Sequence, residues 1–138
     1  MRCIDGGLKS GHFEFQNRAL YRAALAFSKD SSALCGRLPR DGNKSAVERL
    51  RRVGQDLPVQ IADGYSCCRS GDREESWRSA RRDVFQCVAV VDLLRNVNLI
   101  GDEVRGGLLH DLWEMEGVLN CEGAPTADRK GQKERARL

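Results

Sequence analysis

Apolar residues recur at helical spacing in four blocks of this chain, and short polar breaks separate the blocks. In the first, spanning about residues 12–36, Phe13, Leu20, Ala24, Phe27, Leu34 and then Leu38 lie three, four or seven apart. That spacing places them on one side of an α-helix. Leu38 to Asn43, with Pro39 and Gly42, reads as a turn. The second block, about 45–67, carries Val47, Leu50, Gly54, Leu57, Ile61 and Tyr65. Ser45 with Glu48 three residues on has the form of a capping box. Pro58 lacks an N–H and crowds the carbonyl of Gly54, so a kink is expected there, with Gly54 easing the clash. The third block, about 72–98, follows Ser70-Gly71-Asp72 and carries Trp77, Ala80, Val84, Val88 or Cys87, Val91 and Leu94. Gly101 breaks the pattern, and Asp102 is placed to cap the fourth block, about 103–121, with Val104, Leu108, Leu112, Met115 and Leu119.

Four amphipathic helices of similar length joined by short loops pack antiparallel in chain order. The expectation is therefore an all-α, single-domain, up-down-up-down four-helix bundle over residues 12–121. Residues 1–11, with Gly6, Gly7 and Gly11, are expected to form a flexible arm, and the polar stretch 122–138 a disordered tail.

The third helix carries more apolar surface than one bundle hides. Phe85, Ala89, Val90 and Leu93 fall off its core stripe. On the fourth helix, Leu109 and Trp113 do the same, with Gly106 and Gly117 on nearly the same side as Trp113. A helix that is apolar all round is buried all round, and no fifth helix exists to cover this one. Phe85, Ala89, Leu93, Leu109 and Trp113 are therefore candidates for a contact between copies of the chain. The competing reading leaves Trp113 half-exposed on a corner of the bundle.

Composition narrows the picture only a little. The 138 residues fit one domain, and 23 basic against 20 acidic residues leave a net charge of +3. That excess is too small to demand a polyanionic partner. The longest apolar run, Val88 to Val91, is far below the roughly 20 residues of a membrane helix. No secretory signal opens the chain, so the cytoplasm is the expected compartment and no membrane the expected partner. The six cysteines, Cys3, Cys35, Cys67, Cys68, Cys87 and Cys121, are then expected as thiols. No C-x-x-C spacing occurs and there are two histidines, which argues against a zinc site; neither a metal nor another cofactor is expected.

Candidate chemistry is sparse. Arg78, Arg81 and Arg82 on the third helix, and Arg49 and Arg52 on the second, group at helical spacing. Arginine suits phosphate because its planar fork donates paired hydrogen bonds. The competing reading is a solvated face with Arg52–Asp56 and Arg78–Glu74 pairs at i,i+4. His110 and Glu114 are four apart and could share a metal, but no Glu-x-x-His accompanies them, so a surface pair is the simpler reading. Cys67, Cys68 and Cys87 have no histidine nearby in sequence to activate them, and Cys87 reads as a small core residue. No clustered acid and base suggests an enzyme.

The stretch Leu57-Pro58-Val59-Gln60-Ile61-Ala62-Asp63-Gly64-Tyr65 resembles the Pro-x-Asn-Ile-Ala-Glu-Gly segment of a bacterial four-helix-bundle family. Its members are the 23S rRNA intervening-sequence proteins, and it includes the accessory variability determinant of diversity-generating retroelements. Trp77 stands at that family's usual aromatic, and Ser79-Ala80-Arg81-Arg82-Asp83 where it prefers Ala-x-Gly-Ser. Gln86-Cys87-Val88-Ala89-Val90-Val91-Asp92 resembles the Glu-Cys-Ala-Ala-Ile-Leu-Asp run of one subgroup. The departures, Gln60, Asp63, Arg82, Asp83 and Gln86, all fall on polar positions. The resemblance implies the same bundle, a ring-like homopentamer, no catalysis, and binding of nucleic acid or a nucleic-acid enzyme. It also marks Pro58, Gln60, Ile61, Ala62, Asp63 and Gly64 as motif positions. Gln60, Asp63 and Gly64 read either as a shared surface site or as local helix chemistry, with Gly64 permitting close packing.

Two classes of function follow. One is a non-enzymatic oligomeric module that binds RNA, DNA or a nucleic-acid enzyme. The other is a protein-assembly scaffold with no nucleic-acid partner.

Overall fold

Residues 12–36 do not form one helix in the computed structural model of the chain, which describes residues 8–9, 12–40 and 42–123. The first α-helix, α1, runs Ala19–Arg37. Ahead of it, Leu8–Lys9 (β1) and His12–Phe13 (β2) form a two-residue antiparallel ladder, and Glu14–Asn17 a single 3-10 turn. The Phe13 N–H donates to Gln16 Oε1 at 2.7 Å, and Arg18 is extended (φ −72°, ψ 136°), which stops the helix from extending backwards. The arm expected over 1–11 and the tail expected over 122–138 lie almost wholly outside the described residues.

Helices α2 (Lys44–Ser66), α3 (Ser70–Asn96) and α4 (Asp102–Gly123) follow with short connections. Each helix packs on its chain neighbours, and α1 also packs on α4, which closes a four-helix bundle. The predicted stripes form its core. Leu20, Phe27, Leu50, Leu57, Ile61, Val84, Val91, Leu94, Leu112 and Met115 are all at most 1% exposed. Each such side chain contributes roughly 1.5–3 kcal/mol of burial free energy.

Several details differ from the sequence expectation. On α3 it is Cys87, 1% exposed, that takes the core position, while Val88 is only half-buried. Val90, expected to point outward, is buried, because the buried arc of α3 widens toward α2. Val104 is exposed rather than part of the α4 stripe. The α2 cap is Asn43 in the left-handed region (φ 39°, ψ 58°) and not Ser45. Glu48 instead faces Arg51 at 3.8 Å. Asp102 is the first residue of α4, where the carbonyl of Gly101 accepts the Arg105 N–H, and its carboxylate accepts from Arg95 Nε at 2.6 Å. Pro58 is buried inside α2, which runs unbroken past it. Gly54 serves the α1–α2 contact: a Cβ there would lie 2.7 Å from the buried Ser31 hydroxyl, which donates to the Ser28 carbonyl.

Candidate interaction surface

The motif positions on α2 face α3. Gln60 Nε2 donates to Asp83 Oδ2, and the Ser76 hydroxyl donates to Asp63 Oδ2 at 3.2 Å. Gln60 and Asp83 thus meet across the helix pair. Gly64 is buried against the Trp77 indole, where a Cβ would sit 2.7 Å from Cδ1. Pro58 and Ile61 are buried as well, and Ala62 half-buried. Gln60 and Asp63 thus both reach α3, Gln60 half-buried and Asp63 exposed.

The same end of the helix pair carries a feature that periodicity did not reveal. Arg73, on α3, donates from Nε to the Gly64 carbonyl at 3.1 Å, and from Nη2 to those of Tyr65 and Cys67 at 3.4 Å each. It thereby adds side-chain donors to the carbonyls at the end of α2, where the Gly64 carbonyl also accepts the Cys67 N–H at 3.3 Å. Its guanidinium stands 5.7 Å from the Trp77 ring centre, and Tyr65 meets Trp77 edge-on at 5.2 Å. Phe15 stacks on Tyr65 at 6.2 Å and meets Tyr21 edge-on at 5.0 Å, which ties the segment before α1 to this end. The Trp77 Nε1–H is buried and has no hydrogen-bond partner among the described residues. The only sequence signal for this cluster was the gathering of aromatics near the block ends.

The arginines divide into two groups. Arg81 bridges α3 and α4 at the surface, with Nε 3.2 Å from Glu116 Oε1 on α4 and its guanidinium 5.2 Å from the Phe85 ring centre. Arg49, Arg52, Arg78 and Arg82 are exposed and form no ion pair among the described residues. The expected Arg52–Asp56 and Arg78–Glu74 pairs are absent among the described residues. His110 does meet Glu114, Nε2 to Oε1 at 3.2 Å, on the exposed side of α4.

Of the off-stripe apolar residues, Trp113 is 77% exposed, Phe85 54% and Leu93 43%. Ala89 is exposed too, whereas Leu109 is half-buried against the core. Two grooves flank them. One, of about 300 Å³ between α2 and α3, is lined by Ala46, Arg49, Gln86, Ala89, Val90 and Leu93, among others. The other, of about 550 Å³ between α1 and α4, includes Ala19, Ala23, His110, Trp113, Glu114 and Gly117.

Burial, with the nearby Asp83 charge adding to it, pushes the Cys87 thiol up to about 12. Burial also raises Cys35, whose Sγ donates to the Val47 carbonyl. Cys35, Cys67 and Cys87 are free thiols, but Cys68 is disulfide-bonded, which corrects the expectation of thiols throughout. Burial and the Asp30 carboxylate, which is hydrogen-bonded to it, raise Asp111 above the usual carboxylate range. Among the described residues no three histidine, cysteine or carboxylate side chains gather as metal ligands, and no helix is long and apolar enough to cross a membrane. Comparison of the chain with protein-family models, with curated proteins and with solved structures gave no match.

Proposed function

We propose that this protein is a non-enzymatic module that works as an assembly of several copies of the chain, a scaffold built on the outer faces of the bundle. The observation that carries this reading is Trp113, 77% exposed on a helix whose Leu108, Leu112, Met115 and Leu119 are all buried. Phe85 and Leu93 add to it on α3. Together they leave apolar surface in water that a second subunit would cover. The family resemblance supports the same reading and suggests a closed ring of five. Sedimentation velocity at micromolar concentration tests it: a defined oligomer is expected, and a monomer overturns it.

A second reading, nucleic-acid binding by the assembly, draws on Arg52, Arg78 and Arg82, exposed and without ion-pair partners among the described residues. Repetition around an oligomer would add weak phosphate contacts through avidity. The test is anisotropy of labelled single-stranded RNA across a salt series. Binding that falls steeply with salt and weakens in the Arg78→Gln/Arg82→Gln variant supports it. Binding that ignores both changes rejects it.

A further inference from the structure

The two grooves lie on opposite sides of the molecule. Helices pack in the cycle α1–α2–α3–α4, so the α2/α3 side and the α1/α4 side face away from each other. They are also unlike in form. The α2/α3 groove has small residues in it, Ala46 and Ala89 beside Val90, with Leu93 and Arg49 at its edges. The α1/α4 side projects the largest exposed apolar side chain of the described residues, Trp113, with Glu114 next to it. Their charges are complementary. Arg49 makes no ion pair within the described residues and Arg52 follows it one turn on. Glu114 and Asp111 of α4 and Asp30 of α1 lie on the α1/α4 side, with His110 Nε2 3.2 Å from Glu114.

We infer that copies of this chain dock head to tail, Trp113 of one entering the α2/α3 groove of the next, with Glu114 against Arg49. This rests on the assembly reading above and specifies its interface. The occupant of the groove is a second copy because the same chain presents, on its far side, the apolar knob and the opposite charge that the groove lacks. Contacts between two different faces propagate in one direction and end when a ring closes. A contact made by one face with itself would instead stop at a dimer and would leave the other groove unfilled.

Complementary crippling separates these cases. Trp113→Glu removes the knob and leaves the groove; Leu93→Glu spoils the groove and leaves the knob. Both positions are exposed, so both variants are expected to keep their helical circular dichroism. Each alone should sediment as a monomer, whereas a 1:1 mixture should give a dimer and nothing larger. Arg49→Glu should weaken assembly of the intact chain at least tenfold, and adding Glu114→Arg should restore most of it. If either single variant still self-associates, or the mixture stays monomeric while the wild type is oligomeric, head-to-tail docking is wrong and assembly by another face stands. If the wild type is itself monomeric, the assembly reading fails with it. Association of the wild type only on addition of RNA would assign the groove to a different occupant and overturn the inference.

Discussion

Gly64→Ala is the most informative single change at the α2–α3 contact, because two opposing effects can be weighed there. In an isolated helix alanine is favoured over glycine by about 1 kcal/mol. At this position the added methyl would lie 2.7 Å from Trp77 Cδ1 and closer still to Nε1. The neighbour is a rigid, buried indole, with Tyr65 edge-on at 5.2 Å and Arg73 over its face. Overpacking a filled site costs roughly 1–3 kcal/mol, and a contact this short against a ring with no room to swing belongs at the upper end. The difference is a net loss of roughly 2 kcal/mol. Urea unfolding at one fixed protein concentration should show a midpoint lower by about 1 M, with the slope unchanged. Gly107→Ala is the control: it is exposed in α4, nothing lies within 4 Å of its added Cβ, and the propensity gain alone should raise the midpoint. A Gly64→Ala protein as stable as wild type, or more so, would refute the close-packing account of this glycine.

Leu57→Asp should abolish the helical circular dichroism signal, since Leu57 is 0% exposed and an unpaired buried charge costs several kcal/mol. Asp111→Asn should raise the melting temperature at pH 7. The folded state raises Asp111, so it holds its proton more tightly than the unfolded chain, and stability falls as pH rises through and above the ordinary carboxylate value of 3.8. The advantage of the asparagine variant should therefore fade in melts run near pH 3. Alkylation of the unreduced, denatured protein should label fewer than six cysteines, with Cys68 protected and Cys35, Cys67 and Cys87 modified. Labelling of Cys68 before reduction would contradict its disulfide.

The bundle was legible because each core stripe is written in large aliphatic residues at regular spacing. Leu50, Leu57 and Ile61 on α2, or Leu108, Leu112, Met115 and Leu119 on α4, have one plausible inward side each. Where the stripe is ambiguous, neighbours decide. Cys87 and Val88 are adjacent and similar in size, and only the position of α3 between α2 and α4 selects Cys87. Phe13 matched the seam of α1 in spacing, yet the chain turns at Glu14–Asn17 and sends Phe15 to Tyr65 instead. Interhelical polar contacts were hidden for a related reason. Gln60 and Asp83, Asp63 and Ser76, or Arg73 and the end of α2 are matched by the register of two antiparallel helices, which single-helix periodicity does not encode. The same holds for the arginines: Arg78, Arg81 and Arg82 look alike in sequence, but only Arg81 has Glu116 within reach.

Arg73 also bears on the order in which the chain folds. Its three carbonyl partners lie within nine residues of it, and only residues 67–69 separate α2 from α3. Closing so short a loop loses little chain entropy, while joining α1 to α4 must bring together segments from the two ends of the bundle. The α2–α3 hairpin is then expected to be the part already formed when the rate-limiting barrier is crossed, with α1 and α4 docking onto it afterwards. Arg73→Ala should slow refolding by nearly the whole of its stability loss, whereas Leu20→Ala in α1 should leave refolding almost unchanged and accelerate unfolding.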